Sequence, residues 1–202
     1  DPNDFWGARA SQLIHWFKRW DKVLEADEAR HKYRWFTGAK LNAAFNCIDR
    51  HLISGRRNKA ALIWQGEKEM DVRCFTYQML YTEVCRVAHA LSSLHINKGD
   101  RVALYMPMIP ELVIAMLACA RIGAIHTAIF SGYAEGGVRS RIQGSKAKVV
   151  ITADAAIRAG KIKPLKANLD PILEKCPSVA HVVVVNHADL YDVKMTPNRD
   201  IW

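Results

Sequence analysis

The chain has 202 residues, half of them hydrophobic, and a formal net charge of +9. That is enough apolar material for one sizeable core, or for one domain and part of another. The basic residues are spread through the chain rather than gathered in a tail, which suits attraction for polyanionic small molecules such as nucleotides or coenzymes, and no helix-turn-helix, finger or aromatic RNA-binding signature supports nucleic acid.

Cys47, Cys74, Cys85, Cys119 and Cys176 fall in no C-x-x-C pair and no metal-ligand spacing. No run approaches transmembrane length and no signal-peptide pattern is visible. The expectation is a cytoplasmic protein with reduced thiols and no membrane partner. The chain starts at Asp1 without a methionine and stops at Ile201-Trp202, just after a turn-like Thr196-Pro197-Asn198, so both ends read as cut from something longer.

In chain order, Leu13, Phe17, Trp20 and Leu24 recur at helical spacing with Lys18, Arg19 and Lys22 on other faces, which predicts an amphipathic basic helix. Such a helix can lie on a membrane, but packing on its own protein is the preferred reading. Asn42 is placed to cap a helix over residues 43–52. Asp49, Arg50 and His51 resemble a catalytic cluster in composition only, because neighbouring helix residues point in different directions. Residues 60–64 and 73–76 predict a strand pair joined through Gln65-Gly66-Glu67, and Thr76 caps a helix with Leu80, Val84, Val87, Ala88, Leu91 and Leu94 on one face.

Lys98-Gly99-Asp100 turns the chain into the most informative stretch. Residues 101–106 read as a strand, broken by Pro107 and Pro110. The run from Glu111 to Ile122 reads as a helix, with Pro110 in its first turn and Gly123 closing it. Residues 125–130 are again strand-like. Gly132, Gly136 and Gly137 surround a turn, residues 138–142 suit a short helix, and residues 148–152 a third strand. Alternation at this spacing predicts an α/β fold, a mostly parallel sheet with crossover helices. Its helix over 111–122 is apolar nearly all round and is buried on more than one side.

In open parallel sheets, ligands collect beyond the carboxyl ends of the strands. Those ends are Met106-Pro107, the Phe130–Tyr133 stretch, and Asp154 with the loop after it. That loop carries Arg158 and Lys161 three residues apart with Gly160 between them, a combination suited to a phosphate-bearing ligand. Beyond it, residues 165–173 read as helical with Pro171 in the way, Asp170 capping a second short helix, and residues 181–185 read as a buried fourth strand.

Several runs taken together resemble the N-terminal part of the acetyl-CoA synthetase family, the acetate–CoA ligases of the adenylate-forming superfamily. They are Trp35-Phe36 with Leu41-Asn42, Asn46-Cys47 with Asp49-Arg50-His51, Thr76-Tyr77, residues 98–103, residues 105–111, the MLACARIGA run at 116–124, residues 150–154, and Arg158-Ala159-Gly160-Lys161. The resemblance implies that residues 1–58 are a helical extension typical of this family. It implies that residues 59–202 are the first, incomplete part of the AMP-binding α/β domain.

It also implies coenzyme A contacts at Gly132, Arg158, Ala159, Gly160 and Lys161, with acetate, ATP, Mg2+ and coenzyme A as substrates and cofactors of the full-length enzyme. The family's phosphate loop, magnesium carboxylate, acyl pocket and C-terminal lysine have no counterpart in these residues, so no catalytic and no metal-binding residue is assigned here and the piece alone is expected to be inactive. The chain departs from the family at Ser131, where a glycine is usual, and at Ala39, Tyr133 and Pro171. Alternatives are a propionate–CoA ligase of the same family and a non-catalytic coenzyme- or nucleotide-binding module.

Overall fold

The structure, a computed structural model, describes residues 1–202. Helix α1 (Pro2–Leu13) is capped by Asp1, whose carboxylate accepts from the Asn3 N–H at 2.8 Å. It stops at Leu13, short of the amphipathic helix expected to reach Leu24. Trp16 turns back, its Nε1 donating to the Ala10 carbonyl at 2.9 Å, and its ring meets Trp20 and Phe36 at 5.2 and 5.3 Å. Leu24 lies instead in β1 (Lys22–Asp27), antiparallel to β2 (Lys32–Thr37). The aromatic spacing that read as one helical stripe is a cluster of rings at edge and tilted angles, bridging a loop and a hairpin. Residues 1–58, expected to form a helical extension, are therefore helical at their start and carry a hairpin in their middle.

Asn42 does cap the next helical segment, accepting from the Phe45 N–H at 3.1 Å. A π-helical turn (Phe45–Asp49) runs straight into α2 (Arg50–Ile53). Three neighbours diverge as expected. Asp49 pairs with Arg121 at 2.5 Å, Arg50 donates to the Leu13 carbonyl at 2.7 Å, and the His51 ring lies 4.7 Å from that of Tyr77. They hold elements together and share no target.

Strands β3 (Ala60–Gln65) and β4 (Val72–Thr76) form the expected hairpin. Thr76 caps α3 (Tyr77–Ser93), accepting from the Met79 N–H at 3.2 Å, and Leu80, Val84, Ala88 and Leu91 are its buried stripe. Then come β5 (Arg101–Met106), α4 (Pro110–Ile122), β6 (Ile125–Phe130), α5 (Glu135–Ser145) and β7 (Val149–Ala153). Helix α4 closes on Gly123 at φ 76°, a left-handed cap that glycine adopts without strain. The Asn42 side-chain amide also donates to its last carbonyls, Ala120 and Arg121, at 3.1 and 3.0 Å. Helix α5 is longer than expected and takes in Gly136 and Gly137, so the turn is confined to the residues around Gly132.

The segment after β7 is a short antiparallel hairpin, β8 (Ala155–Arg158) and β9 (Lys161–Pro164), where a loop was expected. Helix α6 (Leu165–Leu173) continues through Pro171 as one helix. Asp170 caps nothing: its carboxylate pairs with Lys166 and Arg199, at 2.8 and 2.6 Å. Lys166, 1% exposed, also reaches Asp200 at 2.8 Å, and Arg199 reaches Asp200 at 2.6 Å. This quartet ties α6 to β11 (Asp200–Ile201), which pairs with β10 (His181–Val185).

The central sheet has five parallel strands in the order β11-β10-β7-β5-β6. Side chains alternate across it. Val102, Leu104 and Met106 pack with α3 and α4 on one face, while Ala103 and Tyr105 pack with α5 and α6 on the other. From β5 the chain crosses over α4 to β6. From β6 it returns over α5 to β7, on the far side of β5. Crossovers of one hand running in opposite directions put their helices on opposite faces, as observed. The strand order therefore reverses between β5 and β7, and a crevice opens there at the carboxyl ends.

Candidate functional site

A cleft of about 770 Å3 occupies that crevice. Its floor is Pro107, Met108 and Ile109 after β5, with Phe130 and Ser131 at the end of β6. One wall is Ala156, Ile157 and Arg158 of β8. The other is the tip of the β3–β4 hairpin from Trp64 to Asp71, and His187, from the loop after β10, closes the rim.

Hydrogen bonds fix the walls to the floor. Trp64 Nε1 donates to the Met108 carbonyl at 2.7 Å. The Ser131 carbonyl accepts from Lys163 Nζ at 3.2 Å and from the Tyr105 hydroxyl at 3.4 Å. Burial raises the Tyr105 hydroxyl above its ordinary pKa, so it stays a neutral donor. Thr152, fully buried, anchors the same tyrosine by donating to its carbonyl at 2.8 Å.

Asp154 holds the rim. Its carboxylate is 1% exposed and accepts from four backbone N–H groups: Ala155 at 2.7 Å, His187 at 2.9 Å, Ala188 at 3.0 Å and Leu190 at 3.2 Å. Burial pushes the carboxyl up, but the backbone donors together outweigh it and the net direction is below the usual carboxylate range. This cradle positions His187 over the cleft.

Of the residues expected to contact a ligand, one lines the cleft; Gly132, Ala159 and Lys161 lie next to lining residues in the chain or across the hairpin, and Gly160 lies between Ala159 and Lys161. Arg158 lines the cleft beside Ser131, and Gly132 is next to Ser131 in the chain. A Cβ on Gly132 would collide with the Phe130 ring, which lines the same floor. Ala159 and Gly160 form the two-residue turn of the β8–β9 hairpin, with φ 51° and 68°. Glycine adopts this left-handed shape freely, whereas a residue with a Cβ pays roughly 1–2 kcal/mol for it. Their N–H groups donate to the two oxygens of Glu67, at 2.5 and 2.9 Å.

Arg158 and Lys161 are direct partners across the hairpin, and cross-strand partners share a face. Lys163, two residues on, adds a third cation to it. Arg158 and Lys161 make no ion pair with a carboxylate. Like charges directly opposite one another repel, and an anion placed between them relieves this. Such a face holds a phosphate by charge-assisted hydrogen bonds. No three His, Cys, Asp or Glu side chains converge in the chain. No helix is long and apolar enough to cross a membrane.

Two participants escaped the reading of the sequence. Lys163 was legible in principle, since Lys161-Ile162-Lys163 alternates as a strand does. Glu67 was not: it lies 92 residues before Ala159, and nothing in its own neighbourhood marks it.

Comparison with known proteins bears on the same residues. The family model described as "AMP-binding enzyme" matches residues 48–200, and that described as "Acetyl-coenzyme A synthetase N-terminus" matches residues 1–47. The chain is 46% identical over its whole length to acetyl-coenzyme A synthetase 2 of Pseudomonas putida. It is 50% identical, again over its whole length, to acetyl-coenzyme A synthetase of Gemmatimonas aurantiaca. It spans 31% of the length of each of these curated relatives. Among solved structures, acetoacetyl-CoA synthetase from Streptomyces lividans superposes with a TM-score of 0.87 at 24% identity, over 99% of this chain and 30% of that one. That likeness speaks for the fold: the parallel sheet and its flanking helices recur there. Its first 47 residues match the model of the acetyl-coenzyme A synthetase N-terminus, and with a matched model over three-quarters of its residues and a sheet of the matching architecture, the chain belongs to the AMP-binding enzyme family.

Proposed function

We propose that this chain is the N-terminal part of an AMP-forming acetate–CoA ligase and that it supplies one wall of the coenzyme A site. In this reading residues 1–58 are the extension and residues 59–202 the first part of the AMP-binding domain. The ligase joins acetate to the α-phosphate of ATP with loss of pyrophosphate, and the coenzyme A thiol then displaces AMP to form the thioester. Magnesium would neutralise ATP phosphates at residues outside this chain, and no step assigned here passes through it. Names of relatives that share 46–50% of its residues support acetate as the acyl substrate.

The residues of this chain bind and orient. The guanidinium of Arg158 and the ammonium groups of Lys161 and Lys163 face the 3′-phosphate of the coenzyme. Gly132 allows ligand and backbone to approach beside Phe130, and the turn at Ala159-Gly160 sets the spacing of the cationic pair. Holding the thiol-bearing molecule in one orientation converts thioester formation into a step between pre-aligned groups.

The observation that carries the reading is that Ser131 and Arg158 line one cleft where strand order reverses, with Gly132 next to Ser131 in the chain and Lys161 paired with Arg158 across the hairpin. The test is Arg158→Ala in the complete enzyme. It raises KM for coenzyme A by about tenfold, as expected for loss of a charged hydrogen-bond donor, and leaves KM for ATP nearly unchanged. Equal effects on both substrates would count against the assignment.

A further inference from the structure

The turn at Ala159-Gly160 is held from outside its own hairpin. Two successive N–H groups point the same way and grip both oxygens of one carboxylate, that of Glu67, at 2.5 and 2.9 Å. The loop that carries Glu67 is itself braced. Gly66 N–H donates to the Asp71 carbonyl at 2.7 Å, and the side-chain amide of Gln65 donates to the carbonyls of Lys68 and Gly66 at 2.8 and 3.2 Å. The carboxylate is thus presented by a stiff loop to a turn whose flanking residues, Arg158 and Lys161, repel one another. Without that contact, Ala159 has less to hold it in its left-handed shape. The two cations also have less to keep them paired.

We propose that Glu67 is a positioning residue for the coenzyme phosphate. It closes the Ala159-Gly160 turn and so sets Arg158 and Lys161 at the separation a single phosphate requires. The inference rests on the coenzyme reading above. It concerns a residue that acts on the phosphate through the turn, not by a bond of its own to the phosphate. Glutamine is the informative replacement, because it keeps the size of the side chain but replaces one accepting oxygen by a donor that confronts a backbone N–H.

The experiment compares coenzyme A with dephospho-coenzyme A, which lacks the 3′-phosphate, in the complete enzyme. Glu67→Gln is measured against wild type, with acetyl-adenylate formation monitored separately by pyrophosphate exchange and amide hydrogen exchange read at Ala159 and Gly160. The expected result is a preference for coenzyme A reduced about tenfold, faster exchange at both amides, and pyrophosphate exchange unchanged. Gln65→Leu keeps the carboxylate but removes the brace, and it loses a smaller part of the same preference. If wild type shows no preference for coenzyme A over its dephospho form, the coenzyme site itself is misplaced. If wild type shows the preference and both variants keep it, the site stands and the role of Glu67 is overturned. A tighter grip on coenzyme A in Glu67→Gln also overturns it, since the carboxylate would then be a competitor for the amides.

Discussion

Asp154 offers the most direct test of how the cleft is built. Asp154→Asn keeps the shape of the side chain and one carbonyl oxygen but turns an NH2 group toward backbone donors. In the native protein the two carboxylate oxygens serve four N–H groups. Hydrogen bonds to a charged group are worth about 1.5–3 kcal/mol net. Losing two of them, with the remainder weakened by loss of charge, gives a destabilisation of about 3–5 kcal/mol. That is a large share of the roughly 5–15 kcal/mol by which domains are stable. At this chain length it lowers the melting temperature by on the order of 10 °C, readable by calorimetry at neutral pH.

The pH dependence adds an independent check. The folded-state pKa of Asp154 lies below the ordinary carboxylate value, so its contribution is fully present above the unfolded pKa of about 3.9 and is lost as pH falls through the lower folded value. The gap between wild type and variant is therefore flat from about pH 7 to about 5 and closes only below about 4. A gap under about 1 kcal/mol, less than one hydrogen bond to a charged group, would refute the cradle. A gap that already shrinks near neutral pH would refute its charge state.

Other parts of the fold supply two further tests. Asn42→Ala removes an N-cap and a donor to the last carbonyls of α4 together, and costs about 1–2 kcal/mol in urea unfolding. No measurable change would mean that the extension is not coupled to the sheet. Burial pushes the Cys119 thiol up to about 12, whereas Cys47 and Cys74 are exposed. Iodoacetamide at about pH 8 therefore labels Cys47 and Cys74 in the folded protein and spares Cys119. Equal labelling by mass spectrometry would contradict the packing of α4.

The central layer was legible because its punctuation is local. Pro107, Pro110 and Gly123 mark the ends of α4 and β5 within a few residues of where they act, and β7 is apolar at nearly every position, as a strand covered on both faces is. The N-terminal segment misled because Phe17, Trp20 and Leu24 stand at helical intervals while their partners, Phe45, Phe36 and the β2 strand, lie further along the chain. Residues 155–164 misled differently. Strands of four residues are short, and the alternation of Lys161-Ile162-Lys163 runs over three positions only, too few to announce a hairpin by itself. At the candidate site, Arg158 and Lys161 were visible as charges beside a glycine. Their cross-strand pairing and their tie to Glu67 exist only once the two hairpins meet.

The arrangement joining α6 to the last strand restricts how this chain can drift. Lys166, Asp170, Arg199 and Asp200 balance two positive against two negative charges, and Lys166 and Asp200 have almost no water to turn to. Neutralising one member alone strands its counterpart in a medium that solvates it poorly, whereas exchanging a cation and an anion together for apolar groups of like volume need not. Substitutions at these four positions are thus tolerated as coordinated pairs, and homologous sequences are expected to keep the quartet whole or to change it two residues at a time.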